Sequence, residues 1–411
     1  MAEETKNFKT QLQGTSDIIS PVDVKKIIVI EIGSYHLRIG ISGDNKPLLE
    51  LPFIVATSLD TDTSDLTKTK LADVFGKKGV WALEEKPGEY ELVYPFVKFN
   101  DENTQIIYLE NYLRYVFEEI LSIETPQLDI LIVDSVSRSL SFKIKLIEML
   151  FDSFKVQSVN FMNSATASLF MTGRTTGINV EIGHSSTNVV PIFEGLILNH
   201  ALHSNNVGGK DASELILNSF KENEIDLSNL KVDQIALIHD IKKSLSFCSN
   251  SYDKDISEDY KLDTQKKCFE LPDGKIIELD NKTIFNSGEL LLRPHIIKNT
   301  ASNLTDWVFD SIGKVEPELQ EKFLNNIVLS GGASLTNNLY ERFRRDLYDE
   351  LPKIFSKYKL NLVGDNMRPS SGWIGGSLLG SISVFQNLKI KKTTFDELTE
   401  DKERYLLKNM I

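Results

Sequence analysis

A short pattern occurs twice in this 411-residue chain, and it restricts the fold more than any other feature. Ile28-Val29-Ile30-Glu31-Ile32-Gly33-Ser34 opens the first half, and Asn179-Val180-Glu181-Ile182-Gly183-His184-Ser185 recurs in the second. Each copy is an apolar strand, then an acid, then glycine and small polar residues, then a second strand (Leu37 to Ile41; Thr187 to Ile192). Such a unit is a β-hairpin whose turn can hold a phosphate chain on backbone N–H groups, with a carboxylate beside it for the water shell of a cation. Two such hairpins facing each other would clamp a nucleotide between two related lobes. The acid is glutamate in both copies.

The surrounding pattern alternates strands and helices, as in a duplicated α/β architecture. Lys26 to Gly33 is apolar enough for a buried strand, and Leu49 to Ala56 reads as another. Thr57 to Lys70 is rich in Thr and Asp and reads as an exposed, mobile loop. Helical spacing runs through Asn103 to Ile123 and Ser139 to Phe154, with the strand Leu128 to Val136 between them. In the second half, Asp211 to Phe220 and Val232 to Phe247 read as helices and Tyr252 to Lys267 as a charged surface stretch. Phe269 to Ile284 reads as a hairpin turning at Pro272-Asp273-Gly274. The strand Asn326 to Leu329 enters Ser330-Gly331-Gly332, followed by a helix with Leu335, Leu339, Phe343, Leu347 and Leu351 on one face.

Bulk properties exclude several classes. A net charge of −13 argues against direct nucleic-acid binding, which needs a basic surface. No apolar run reaches the length of a membrane span, and residues 1–24 lack the order of a signal peptide and read as a loose polar tail. The two cysteines, Cys248 and Cys268, form no disulfide framework or metal-ligand spacing, so a reducing compartment is expected.

One glycine turn proves little, because Gly in a hairpin is usually only a turn. Two similar turns plus Ser330-Gly331-Gly332 after a third buried strand are more specific, because glycines at strand ends let a backbone approach phosphate or base closely. On these residues alone, nucleotide binding and a purely structural role both stay open.

Longer stretches carry a resemblance. Gly173-Arg174-Thr175-Thr176-Gly177-Ile178 leads into Glu181-Ile182-Gly183, and Val190-Pro191-Ile192-Phe193-Glu194-Gly195 is followed by His200-Ala201. Glu270-Leu271-Pro272-Asp273-Gly274, Val328-Leu329-Ser330-Gly331-Gly332 and Trp373-Ile374-Gly375-Gly376-Ser377 to Phe385-Gln386 complete the set. In order and spacing, from about Lys26 onward, the chain resembles actin and its related proteins, with no single actin-related class standing out. The resemblance implies the actin-like ATPase fold: duplicated ribonuclease H-like domains in two lobes and four subdomains around a nucleotide cleft. It implies a first lobe over 25–171 with 53–93 as its second subdomain. A second lobe would cover 172–370, with 208–299 as the fourth subdomain, and 371–411 would return to the first. It also implies ATP or ADP with magnesium. Gly33 and Ser34 match the first phosphate loop, Gly183 and Ser185 the second, and Arg38 stands where the family has a phosphate-binding lysine. Gly209, Lys242, Gly331 and Gly332 match nucleotide-contacting positions, and Glu31 and Glu181 match acids that hold the cation through water.

Departures from the family pattern are as informative. Glu31 and Glu181 replace aspartates, and an added methylene moves each carboxylate by about 1 Å, enough to disturb a catalytic geometry. The alternative is a compensated pair that still binds a cation through shifted waters. His184 replaces another acid of the second loop, or is a plain hairpin residue. Ser164 stands in place of a water-positioning glutamine, with Asn163 adjacent, and Asn188 in place of a histidine near that water. Tyr35 replaces a glycine and would crowd the phosphates. Lys243 replaces a ribose-binding glutamate, and Thr336 and Pro369 replace residues lining the adenine. No catalytic residue is therefore assigned, with Ser164, Asn188 and His184 as degenerate positions.

An apolar partner groove is implied by Phe170, Thr175, Leu378, Leu379, Ile382, Val384 and Leu388, although Leu378 and Ile382 also fit a simple core role. The tip loop near 57–70 and the region His295 to Leu304 are unlike actin, which speaks against a filament needing matched surfaces at both ends. The expected function is a divergent actin-related protein, a non-catalytic or weakly catalytic structural subunit of a larger cytoskeletal or nuclear complex. Its partners would be other protein subunits, actin or actin-related proteins among them, with no nucleic acid and no membrane. The location would be cytoplasmic, with the nucleus as the other candidate. The alternative is a polymerising actin-like ATPase with nucleotide-dependent filaments. A sugar-kinase-type phosphotransferase lacks a candidate catalytic base.

Overall fold

The computed structural model describes residues 27–58, 74–75, 89–126, 128–225, 234–250, 252–255, 266–398 and 401–409. The N-terminal tail 1–24, most of the tip loop (59–70) and most of the charged stretch (256–265) lie outside the described residues. The chain divides into two compact units, Met1–Gly173 with Ser370–Ile411, and Arg174–Pro369.

In the first unit, β1 (Ile28–Ile32) pairs antiparallel with β2 (His36–Ile41), and β2 with β3 (Leu49–Pro52). On its other side β1 runs parallel to β7 (Asp129–Asp134), which runs parallel to β8 (Ser158–Asn163). Strands β7 and β8 are buried at every position and β1 at all but Glu31, as parallel strands covered on both faces must be. The helices α1 (Glu102–Tyr115), α2 (Leu140–Asp152) and α3 (Ser164–Met171) begin at Asp101, Ser139 and Asn163. Each of those side chains accepts a backbone N–H of the first turn, one of the donors a helix start leaves without a partner.

Three expectations change here. The strand Leu49 to Ala56 divides after Pro52 into β3 and β4 (Val55–Ser58), which belong to different sheets. Pro52 has no N–H for a ladder, and Phe53 instead donates to the Tyr35 carbonyl at 2.8 Å. Strand β4 pairs with β5 (Val74–Phe75) and β6 (Tyr90–Val93), so Thr57 and Ser58 are strand rather than loop. The long helix ends at Tyr115 and continues as one π turn, Val116–Ile120, which keeps Val116 and Phe117 in the core.

The second unit repeats the arrangement. Strand β9 (Gly177–Ile182) pairs antiparallel with β10 (Thr187–Phe193), which also pairs with β11 (Leu196–Ile197) and β12 (His203–Asn205). On its other side β9 runs parallel to β15 (Ile327–Ser330), which runs parallel to β16 (Leu362–Val363). The sequence β8-β7-β1-β2-β3 is thus matched strand for strand by β16-β15-β9-β10-β12, with the same directions. The helices α4 (Gly209–Glu222) and α5 (Gln234–Leu245) follow the second hairpin. The Pro272-Asp273-Gly274 turn joins β13 (Lys267–Glu270) to β14 (Ile276–Leu279), with Gly274 at φ +83°. That hairpin stops short of Ile284, because Asp280 caps a helix, α6 (Asn281–Glu289), by accepting the Thr283 N–H. Helix α7 (Leu304–Gly313) precedes β15, and after Gly331 a 3₁₀ turn separates β15 from α8 (Leu339–Asp349). Leu335 therefore sits in the turn, 43% exposed, and Leu351 lies beyond the helix, so neither belongs to the predicted apolar face.

Candidate functional site: the twin hairpins

The first hairpin builds a line of charge across three strands. Register places Glu31 opposite Arg38 and Arg38 opposite Glu50, and cross-strand partners on one face lie within side-chain reach. Arg38 Nη1 donates to Glu31 Oε2 at 3.1 Å, and its Nη2 and Nε donate to Glu50 Oε1 at 2.8 and 3.2 Å. The Arg38 and Glu31 side chains are only 9% and 13% exposed, whereas Glu50 is 46% exposed. Burial pushes the Glu31 carboxyl up from its usual range, and Arg38 with the Trp373 backbone N–H offsets this only in part. Burial works against the Arg38 charge as well, but the two carboxylates outweigh it and hold the guanidinium above its ordinary value.

Trp373 is the third residue of the glycine-rich helix Ser371–Gly380, so its N–H is among those left without an intrahelical acceptor. Glu31 fills that role. A Cβ at Gly372 would lie 2.9 Å from Glu31 Oε1 and 3.5 Å from the Ser164 Cβ, so a side chain there would make the carboxylate shift. Ser164 is buried in the first turn of α3, and Asn163 accepts the Ala165 N–H as that helix's cap. The Gly33 N–H donates to the His36 carbonyl at 3.0 Å, closing the turn that carries Ser34. Tyr35 does not lie over this turn. Its ring is buried with Ile54 and stacks on Tyr94 at 5.3 Å, because the turn directs it to the β4 side.

The second hairpin has the same register with different chemistry. Glu181 faces Asn188, and Asn188 faces Ser204. Asn188 Nδ2 donates to Glu181 Oε2 at 3.2 Å, and Ser204 Oγ donates to Asn188 Oδ1 at 2.6 Å. Arg38 and Asn188 thus hold equivalent places in the duplication, one charged and one neutral. The Gly183 N–H closes this turn on the Ser186 carbonyl at 2.9 Å, as Gly33 does in the first. The half-buried His184 and Ser185 lie in that turn. The start of α4 docks on it: the N–H groups of Gly209 and Lys210 donate to the carbonyls of Gly183 and His184 at 3.0 and 2.7 Å. Gly208 permits this, since a Cβ there would lie 2.7 Å from the His184 oxygen.

Lys242 reaches the same place from α5. Its ammonium donates to the Gly209 carbonyl at 2.7 Å and to Ser213 Oγ at 3.0 Å. Burial lowers its pKa to about 8, with Asp211 opposing. The sign follows directly. The unfolded lysine keeps its proton to about 10.5, the folded one loses it near 8, so stability rises with pH across that window. Unfolding free energy compared between the native protein and Lys242→Met should show the native curve gaining about 3 kcal/mol relative to the variant from pH 8 to 10.5. Parallel curves would refute the shifted lysine.

Beside Glu181, strand β15 delivers Ser330 and then Gly331 at φ +89°. A Cβ on Gly331 would sit 2.3 Å from the Ile182 oxygen, while a Cβ on Gly332 meets nothing within 4 Å. Arg368 braces this turn: its Nε and Nη2 donate to Ser334, and its carbonyl accepts the Gly331 N–H. The structure therefore gathers Gly183, His184, Gly209, Lys242, Gly331 and Gly332 around the ends of β9 and β15, the kind of strand-end position where open α/β sheets bind ligands. Glu31, Ser34, Arg38 and Ser164 gather in the first unit.

Sequence reasoning missed Glu50, Gly372, Gly208 and Arg368. Nothing local marks Glu50, because its role depends on the β2–β3 register. Lys243 is exposed, and Thr336 Oγ1 bonds the Ala333 carbonyl.

Among the groove residues of the first unit, the core assignments reverse. Leu379 is buried against Ile27, Val29 and Trp373, and Phe170 and Leu388 pack half-buried on that cluster. Leu378, on the outer side of the glycine-rich helix, and Ile382, two residues past its end, are 47% and 48% exposed. Thr175 is exposed in the second unit, and the Val384 side chain lies outside the described residues.

A magnesium ion fits this donor set poorly. Glu31 faces a guanidinium and a helix N–H, and Glu181 faces an amide donor.

The comparisons agree with the duplicated topology. The family model described as Actin matches residues 22–402. Centractin of Saccharomyces cerevisiae (strain ATCC 204508 / S288c) is 29% identical over 378 residues, covering 90% of this chain and 94% of that protein. The fold of this family generally binds ATP or ADP with magnesium. With the paired sheets, the twin hairpins and a family match over nearly all of its length, the chain belongs to the actin family.

Proposed function

We propose that this chain is a divergent actin-related protein acting as a structural subunit of a larger cytoplasmic, cytoskeletal assembly, with little or no ATP turnover. The supporting observation is the engagement of the side chains that would position cation and water. Arg38 is shared by Glu31 and Glu50, Asn163 caps α3, and Asn188 is tied to Glu181 and Ser204. Phosphoryl transfer depends on positioning and preorganised charge, and groups already committed to internal partners supply neither. A retained ATP or ADP would be held chiefly by the glycine turns at 183, 209 and 331–332 with Lys242, adding stability by mass action without chemistry. Its partners are other actin-related proteins, which Leu378 and Ile382 would meet through their exposed edge. The segments 53–93 and 208–299 serve as the small subdomains. The purified protein should release phosphate from ATP far more slowly than actin assayed beside it, and should co-purify with other actin-related chains from its own cells. Actin-like turnover, or nucleotide-dependent filaments of the chain alone by electron microscopy, would sink this reading.

A further inference from the structure

The first hairpin carries its own cation. Arg38 lies between two acids in strict cross-strand register, contacting Glu31 at 3.1 Å and Glu50 at 2.8 Å. A guanidinium has no acceptor and cannot be a metal ligand, but its rigid fork serves two carboxylates at once. Magnesium demands octahedral oxygen ligation and gives up its waters reluctantly. To use Glu31, even through a water, it would have to share that carboxylate with a fixed positive charge 3.1 Å from its Oε2 and with the Trp373 N–H. The equivalent position in the second hairpin is Asn188, so the fixed cation belongs to the first copy only. We infer that Arg38 is a built-in counter-ion occupying the charge position of a divalent cation at the first hairpin, so that Glu31 takes no magnesium with or without nucleotide. This rests on the reading of the hairpins as a degenerate nucleotide clamp.

Two consequences follow. Glu50 shares the guanidinium, so Arg38 is held from both sides, but the Glu31–Arg38 contact alone is what keeps a second cation away. The hairpin's stability should also be indifferent to magnesium, whereas removing the guanidinium should create a demand for a cation.

The test uses the full-length protein purified in magnesium chloride and passed into metal-free buffer. After denaturation, metal is measured by mass spectrometry and nucleotide by anion exchange in one supernatant. Substoichiometric magnesium is expected whether or not nucleotide appears, together with a melting temperature unchanged by magnesium chloride or EDTA. Arg38→Met should lower the melting temperature by about 6 °C or more, since two acids lose their partner, and magnesium chloride should restore part of that loss. Glu50→Gln keeps the Glu31–Arg38 pair and should stay insensitive to magnesium, which provides a second variant if Arg38→Met fails to fold. One magnesium per chain, or a native protein whose melting falls on adding EDTA, overturns the inference. Stoichiometric magnesium without turnover would defeat this inference and spare the proposed function. Actin-like turnover without bound magnesium would do the reverse.

Discussion

Gly375→Ala abolishes the soluble, folded protein. A Cβ at this position would lie 1.8 Å from the Ala167 oxygen, 2.4 Å from its carbonyl carbon and 2.8 Å from its Cα. These are backbone atoms of α3, so no rotamer change relieves the clash. The glycine-rich helix cannot retreat either. On its other side a Cβ at Gly376 would already be 2.5 Å from Val133, and Trp373 Nε1 is bonded to the Val29 carbonyl at 3.0 Å. The helix is held between α3 and the β1–β7 sheet, and Ser371 is bonded to Ser168 at 2.8 Å. Overpacking a core by one methyl typically costs about 1–3 kcal/mol. A clash with the α3 backbone, in a helix that has no room to retreat, should exceed about 4 kcal/mol, a large share of a domain's total stability. Gly313→Ala is the control, since a Cβ there meets nothing within 4 Å and α7 should keep or gain a few tenths of a kcal/mol. Soluble yield and thermal unfolding followed by circular dichroism compare the two. A Gly375→Ala protein melting near the native temperature would refute this account of the helix contact.

Arg342→Met costs about 3–5 kcal/mol, because it leaves a buried acid without its cation. Arg342, on α8, is 3% exposed, and Glu289, at the end of α6, is fully buried. The guanidinium Nη1 donates to Glu289 Oε1 at 3.1 Å and to the Ser249 carbonyl at 3.0 Å, while its Nε donates to Asp346 Oδ1 at 2.7 Å. Glu289 Oε1 also accepts the Ser249 N–H at 2.7 Å, and its Oε2 has no hydrogen-bond partner among the described residues. Burial already pushes the Glu289 carboxyl up, with Arg342 the main opposing charge, so losing the arginine should push it higher still. Arg342→Met combined with Glu289→Gln should recover part of the loss, since the amide needs no counter-ion. Chemical denaturation of the single and double variants measures the coupling, and simple additivity would refute it. Because the network joins α6, α8 and the 246–250 segment, the loss should appear in the second unit.

The duplicated hairpin was legible from composition and order alone. An all-apolar strand, an acid, a glycine turn and a second strand leave few folds open, and the two copies occupy matched places in two matched sheets. Helical spacing placed two helix starts within two residues, at Asn103 and Ser139, where the helices begin after Asp101 and Ser139. The break after Pro52 and the π turn at Val116–Ile120 were hidden because apolar residues continue across each, while at Asp280 a polar stretch that reads as hairpin is instead a capped helix start. Tyr35 was misplaced because the direction of a turn's side chain depends on what packs beside it, here Tyr94 and Ile54.

What the sequence determined by itself is the fold class and the list of residues gathered at the hairpins, because strand and turn formation are read from neighbours a few positions apart. What the tertiary structure alone decided is how those residues are occupied. That Arg38 meets Glu50 as well as Glu31 depends on β2 and β3 pairing in one register among several. That Glu31 meets the Trp373 N–H depends on a helix more than 300 residues away packing its first turn beside β1. Electrostatic partners are set by distance in space, and only the packed chain brings these charges within reach.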